Sequence, residues 1–368
     1  MQLTGYRLRR LRVPCDPPIS DSQYTFDVAG VAYLELETDG GETGVGLGGC
    51  GVPAAALADR FAPVWNDLEG RSPFHLRGRL ARPRGGEYGR GDGPFGPFSR
   101  AVDVALWDLC GKRLDAPAYE LLGGADPAVP AYASGLAFDH DDETTRAVYE
   151  AFAERGFDAA KVKVGYDTVD EDLDRLSLVA DALGDPTLAV DANEAWDPKE
   201  AIRRARAYRD AGFDLAWVED PVLRDDVDGL RKVAENVPFA HVNAGEYVNF
   251  EGKRELLERG AVEMLNLRSG LLSTARDAAA LGSAYGVPLH VGDAQCELGV
   301  HLAAALPAGE RTPMEYWHRP WNRLTAADGS EGVGVEDGRL VAPDRPGHGV
   351  TLDGGVIEEY ADGRWVEG

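Results

Sequence analysis

The chain has 368 residues, room for about two domains at ~150 residues each. Its 44% hydrophobic and 27% charged content excludes a disordered chain, and its 45 glycines follow no three-residue period, which excludes collagen. No apolar run approaches the ~18–20 residues of a membrane helix, and a net charge of −25 has the wrong sign for a nucleic-acid binder.

The 63 acidic residues are spread along the chain, while only six lysines occur: Lys112, Lys161, Lys163, Lys199, Lys232 and Lys253. Such a surface points to a salt-rich cytoplasm, where self-repulsion is screened. Cys15, Cys50, Cys110 and Cys296 form no CxxC pair, and the first residues lack a signal-peptide layout. Both features fit a reducing, cytoplasmic setting.

Residues 2–13 and 29–37 alternate apolar and polar and predict strands, the second closed by the turn Thr38-Asp39-Gly40-Gly41 before a short strand at Val45–Leu47. Helices are predicted over 53–67 and 99–114, with a Gly-, Arg- and Pro-rich loop over 84–98 that carries Arg84 and Arg90. Residues 1–118 therefore read as an α+β unit. Then come eight short apolar runs, at Val129–Gly135, Ala159–Val164, Thr187–Asp191, Leu215–Glu219, His241–Glu246, Val262–Leu267, Val287–Val291 and Pro313–Trp317. Helical stretches such as 142–155, 198–211, 225–236 and 273–285 alternate with them, which is the pattern of a (β/α) barrel over 119–324. The tail, 325–368, has strand-like pieces at Gly338–Val341 and Gly349–Leu352 and is expected to return to the first unit.

Polar residues at the C-terminal ends of barrel strands face the active site. Those ends give Lys161 and Lys163, then Asp191, Glu219 and Glu246, at steps of 28, 28 and 27 residues from Lys163. Three converging carboxylates repel one another unless a hard cation sits among them, and all-oxygen ligation selects Mg²⁺ or Mn²⁺. Lys161 and Lys163 are two apart on a strand, so both point the same way. Beside a dication such a pair is expected to have a lowered pKa, which suits proton abstraction near neutrality.

Several segments together resemble the enolase superfamily, in the mandelate racemase and muconate-lactonizing branch. They are Ala105-Leu106-Trp107-Asp108-Leu109-Cys110-Gly111-Lys112 with Leu121-Leu122-Gly123-Gly124, Lys161-Val162-Lys163, Val190-Asp191-Ala192-Asn193, Trp217-Val218-Glu219-Asp220-Pro221 and Gly245-Glu246. The resemblance spans nearly the whole chain. It implies an α+β capping domain, a modified (β/α)₇β barrel of the TIM type, and one Mg²⁺ on Asp191, Glu219 and Glu246. It also implies abstraction of the α-proton of a carboxylate substrate to give an enolate. By the same resemblance Lys163 is the base, Lys161 steadies the carboxylate and tunes Lys163, Asn193 hydrogen-bonds the substrate, and Glu315 donates to its carboxylate. Arg319 is an alternative partner for Glu315. Dimers or octamers are the family habit.

The opposite face departs from both familiar patterns of the branch. In Met264-Leu265-Asn266-Leu267-Arg268 the best match puts Arg268 where a lysine is expected, and arginine keeps the charge but cannot act as a base. Asn266 stands where the racemase type has an Asp. His290 is either a shifted acid or a barrel histidine satisfied by neighbours, Asp293 is an acid or an anchor, and His301 reads as a packed helix residue. Substrate selection is expected from the lid loop 15–25, with Ser20, Asp21, Ser22 and Tyr24, and from Gly49-Cys50-Gly51. The hydrogen-bonding lid leans toward a polyhydroxylated acid. A sugar-acid dehydratase needs one base, whereas a racemase or epimerase needs two and would have to recruit His290 or Asp293. A non-catalytic metal-binding barrel is the third reading.

Overall fold

The computed structural model describes residues 1–76, 95–268, 271–292, 296–317, 333–350 and 352–368. The predicted loop 84–98 lies largely outside them, as do Arg84, Arg90, Asp293 and Arg319. No helix among the described residues is long and apolar enough to cross a membrane.

The chain opens with strands β1 (Leu3–Ser20), β2 (Thr25–Thr38) and β3 (Thr43–Gly49). With β14 (Ala361–Glu367) they form an antiparallel sheet in the order β14-β1-β2-β3. Alternation along the strands covers both faces. Leu8, Leu34 and Leu36 pack under helices α1 (Leu57–Leu68) and α2 (Ser99–Leu114), while Leu11, Val13, Tyr33 and Leu47 pack against Ile357 and Trp365 of the tail. Helix α2 lies so close to β3 that a Cβ on Gly46 would come within 1.9 Å of the Ala101 carbonyl oxygen.

β1 and β2 run well beyond their predicted spans, so most of the expected lid loop 15–25 is a hairpin whose tip is Asp21–Tyr24. β1 contains Pro14, Pro17 and Pro18, which supply no ladder donor. In the fold they fall where the β1–β2 register shifts, between Pro14 and Ile19, and a missing ladder donor costs little there.

After α3 (Ala118–Leu121) come the eight parallel strands β4 (Ala128–Ser134), β5 (Ala159–Lys163), β6 (Thr187–Asp191), β7 (Leu215–Glu219), β8 (His241–Ala244), β9 (Met264–Asn266), β10 (Leu289–His290) and β11 (Met314–Trp317). Seven helices alternate with them: α4 (Asp142–Ala153), α5 (Val169–Leu183), α6 (Pro198–Asp210), α7 (Val227–Asn236), α8 (Phe250–Glu258), α9 (Leu272–Tyr285) and α10 (Cys296–Ala305). The strands pair in chain order from β4 to β10, and β11 pairs with β4. Backbone bonds from Leu289 N to Glu310 O, Thr312 N to Leu289 O and Glu315 N to Val291 O join β10 to the entry of β11 and bring the ring round. The architecture is thus the modified (β/α)₇β barrel with an N-terminal α+β cap. Helix starts follow local chemistry: Asp141, Asp197, Asp226 and Asn249 accept from first-turn amides, and Thr168 and Glu171 form a capping box.

In the tail, β12 (Gly334–Glu336) and β13 (Arg339–Val341) form a hairpin that adds antiparallel to β4. The piece expected at Gly349–Leu352 is not a strand among the described residues. The return to the first sheet is made by α11 (Gly354–Glu359) and β14 instead, because Trp365 there has a hydrophobic face to cover.

Candidate active site

Parallel pairing puts Lys163, Asp191, Glu219 and Asn243 in one row, each the register partner of the next. Side chains at one level of adjacent barrel strands converge. Lys163 Nζ lies 2.6 Å from Asp191 Oδ2 and donates to Asn193 Oδ1 at 2.7 Å. Lys161 Nζ reaches Glu219 Oε1 at 2.9 Å, Glu315 Oε1 at 3.1 Å and Asp191 Oδ2 at 3.4 Å. All of these side chains are buried.

The expected lowering of the lysine pKa values is not what the chain's own charges produce. Burial lowers the Lys161 ammonium, but Glu219 and Glu315 outweigh it and hold it well above its ordinary value. Burial likewise lowers Lys163, and Asp191 more than restores it. The sequence expectation counted the lysine pair and a dication but not the carboxylate contacts. Those carboxylates would share their charge with a bound cation, which would weaken their hold on the ammonium forms.

The carboxylates divide in two. Burial raises Asp191, but Lys163 and Lys161 outweigh it and keep its carboxyl below the usual range. Burial pushes Glu219 up to about 8 and Glu246 up to about 7. Glu219, Asp220 and Glu246 each offer an oxygen within 4.8 Å of the others, and Asp220 Oδ2 is buried with no hydrogen-bond partner. Carboxylates so crowded, with one oxygen unpartnered, fit a hard dication as donor set. Glu246 does not end a strand, as the run His241–Glu246 suggested. β8 stops at Ala244, and Gly245 turns the chain at a φ of +129°. A Cβ there would sit 2.7 Å from the Asn266 carbonyl oxygen, so only glycine lets the backbone deliver Glu246.

Of the two readings of His290, its surroundings fit the barrel histidine satisfied by neighbours. Its ring is fully buried, with Nε2 2.9 Å from the Tyr132 hydroxyl and Nδ1 2.7 Å from Asn243 Nδ2, and burial holds its pKa well below the ordinary value. Both nitrogens have partners, and the ring packs in the barrel interior beside Trp217. His301 bonds the Tyr119 amide and the His348 carbonyl, as a packed helix residue does.

On the far side, Arg268 is partly exposed, with Nη1 3.6 Å from Glu246 Oε1. Asn266 donates from Nδ2 to Glu219 Oε1 at 3.3 Å and accepts the Arg268 amide at 3.0 Å. β5 and β9 are four strands apart in a ring of eight, so Lys163 and Arg268 stand on opposite sides of the mouth.

The lid serine hydroxyls face the chain rather than an open cleft. Ser20 Oγ accepts the Asp139 amide, Ser22 Oγ donates to Ala192 O at 2.8 Å, Asp21 accepts the Gln23 and Tyr24 amides, and Gln23 Nε2 donates to Asn193 O. Tyr24 stays 63% exposed beside Phe26, and Cys50 is buried with its amide on Gly30 O. The lean toward a polyhydroxylated acid therefore loses its lid argument.

Sequence reasoning missed Asn243, Tyr132, Trp217 and Lys253. Trp217 Nε1 donates to Glu219 Oε2 at 3.0 Å, and Lys253 Nζ is buried on Asn266 O at 2.7 Å and on Gly245 O. Trp217 carried a signal, the two-residue period that sets it on the same face of its strand as Glu219. Lys253 carried one in the scarcity of lysine.

Comparison with known proteins agrees with this geometry. The mandelate racemase / muconate lactonizing enzyme N-terminal domain matches residues 5–123, and the enolase C-terminal domain-like family matches residues 143–356. The chain belongs to the mandelate racemase / muconate lactonizing enzyme family. It is a member of the enolase superfamily. It is 36% identical over 69% of its length to 3,6-anhydro-alpha-L-galactonate cycloisomerase of Streptomyces coelicolor, covering 69% of that protein. It is 32% identical over 70% of its length to arabinonate dehydratase of Saccharolobus solfataricus, covering 70% of that protein. A magnesium-bound racemase structure from Streptomyces coelicolor A3(2) superposes with a TM-score of 0.84 at 30% identity, over 98% of this chain and 99% of that one. Family members matched here thus include both dehydratases and isomerases, and the chain is an enzyme of this superfamily.

Proposed function

We propose that the protein is a Mg²⁺-dependent dehydratase of a sugar acid, acting by abstraction of the α-proton of the substrate carboxylate. The observation that carries this reading is the asymmetry of the mouth, with one lysine base on one side and an arginine on the other. Asp191, Glu219 and Glu246 would hold the cation, which supplies positive charge against the charge that develops on the substrate carboxylate.

Lys163 is the base. It removes the α-proton from one face, and Asn193 and Asp191 fix its Nζ at 2.7 and 2.6 Å. Lys161, buried among Glu219, Asp191 and Glu315, holds a fixed positive charge beside the substrate carboxylate. Glu315, 3.1 Å from Lys161, stands at the same place and positions that lysine. The proton that Lys163 takes up is the one a leaving β-hydroxide needs to depart as water, and the product tautomerises to a 2-keto-3-deoxy acid. Arg268 stays protonated and orients the substrate rather than deprotonating it. A racemase needs a base on each face, and His290 is sealed in the barrel interior. Dehydratases of arabinonate and of talarate or galactarate among the relatives support the substrate class.

A panel of sugar acids tests the reading. At least one should give a 2-keto-3-deoxy product with Mg²⁺ and none with excess chelator. Interconversion of epimers without loss of water would overturn it.

A further inference from the structure

Asp220 follows the metal-directed Glu219 and precedes Pro221. Its backbone is pinned on both sides, because its amide donates to Asn243 O at 2.9 Å and its carbonyl accepts the Glu194 amide at 2.7 Å. Its φ is +40°, a left-handed value that a side-chain-bearing residue adopts at a cost, more so before proline, which favours extended backbone. The residue is 3% exposed, yet Oδ2 has no hydrogen-bond partner. Buried carboxylates are paired, hydrogen-bonded or bound to a metal. Strain held at a residue with an unsatisfied buried carboxyl oxygen points to a functional position.

Asp191 differs in every respect. Its Oδ1 accepts the Asn193 amide at 3.0 Å and its Oδ2 faces Lys163 and Lys161. The oxygens of Asp220, Glu219 and Glu246 are the ones that lie within 4.8 Å of one another.

We propose that Asp220 is a fourth carboxylate of the metal centre, with Oδ2 directed at the cation. The strained backbone holds that oxygen against Glu219 and Glu246, and the cation offsets the repulsion among the three. The inference rests on the Mg²⁺ reading given above for the same site.

The test uses the full chain with Mg²⁺ alone, without substrate. Calorimetric titration compares the wild type with Asp220→Asn and Asp220→Ser, with Glu219→Gln as the reference loss. Asp220→Asn should weaken Mg²⁺ about 10–100-fold, the usual cost of losing a group that supports a metal site. Its melting temperature without Mg²⁺ should stay near the wild type's, while the rise on adding Mg²⁺ should shrink. The spectrum of bound Mn²⁺ should change with the ligand. Mg²⁺ affinity within about twofold of wild type in both Asp220 variants overturns the inference, and so does failure of both to fold, which would make Asp220 structural. A wild-type chain that takes up no Mg²⁺ overturns the Mg²⁺ reading itself, so the two failures are distinguishable.

Discussion

Glu219 and Glu246 are buried carboxyls with pKa values pushed up to about 8 and about 7, so they keep protons over a range where exposed carboxyls have lost them. A cation must displace those protons. Mg²⁺ affinity should therefore rise from about pH 6 to about pH 8 and then level off, with proton uptake by the buffer visible calorimetrically. An affinity flat across that range contradicts the assignment. Lys163 has the opposite character, a charge held by Asp191 that must be given up for the base to work. Lys163→Ala should cost about 10²–10⁴-fold in turnover, and Lys163→Arg nearly as much, because charge without basicity does not remove a proton. Activity in the arginine variant near that of wild type would show that only the charge mattered.

The β1–β2 hairpin bears on the site as an element, since Ser22 and Gln23 clasp the turn after β6, where Asn193 and Glu194 have φ values of +45° and +65°. Gln23→Ala should raise KM about two- to tenfold, the worth of one hydrogen bond of ~0.5–1.5 kcal/mol, with a smaller effect on kcat. An unchanged KM would free the hairpin from substrate binding. The barrel strands were legible because burial on both faces leaves short continuous apolar runs, and β6 and β7, which end on carboxylates, match their predicted bounds residue for residue. The hairpin was not legible, because prolines that normally break strands sit at a register shift set by the partner strand. Lys161 and Lys163 were found from their two-residue spacing. The direction of their pKa shifts was not, since it depends on which carboxylates touch which lysine, Glu219 and Glu315 for Lys161 and Asp191 for Lys163. His290 shows the same limit, as its burial is decided by Tyr132 and Asn243 on other strands.

At the scale of the whole molecule, a net charge of −25 sets up self-repulsion that salt screens. The melting temperature should rise steeply from dilute buffer to molar KCl, and a flat profile would remove the inference of a salt-rich habitat. Turnover is also expected to depend on the assembled molecule, because Lys163 on β5, Asp191 and Glu219 on β6 and β7, Glu246 after β8 and Arg268 after β9 come together only in the folded barrel. The most direct test of the one-base account is exchange of the substrate α-proton in heavy water, followed by NMR with Mg²⁺ and sugar acids of both configurations at the α-carbon. The account predicts deuterium in acids of a single configuration, and none in the Lys163→Ala variant. Deuterium in both configurations would reveal a second base opposite Lys163 and contradict it.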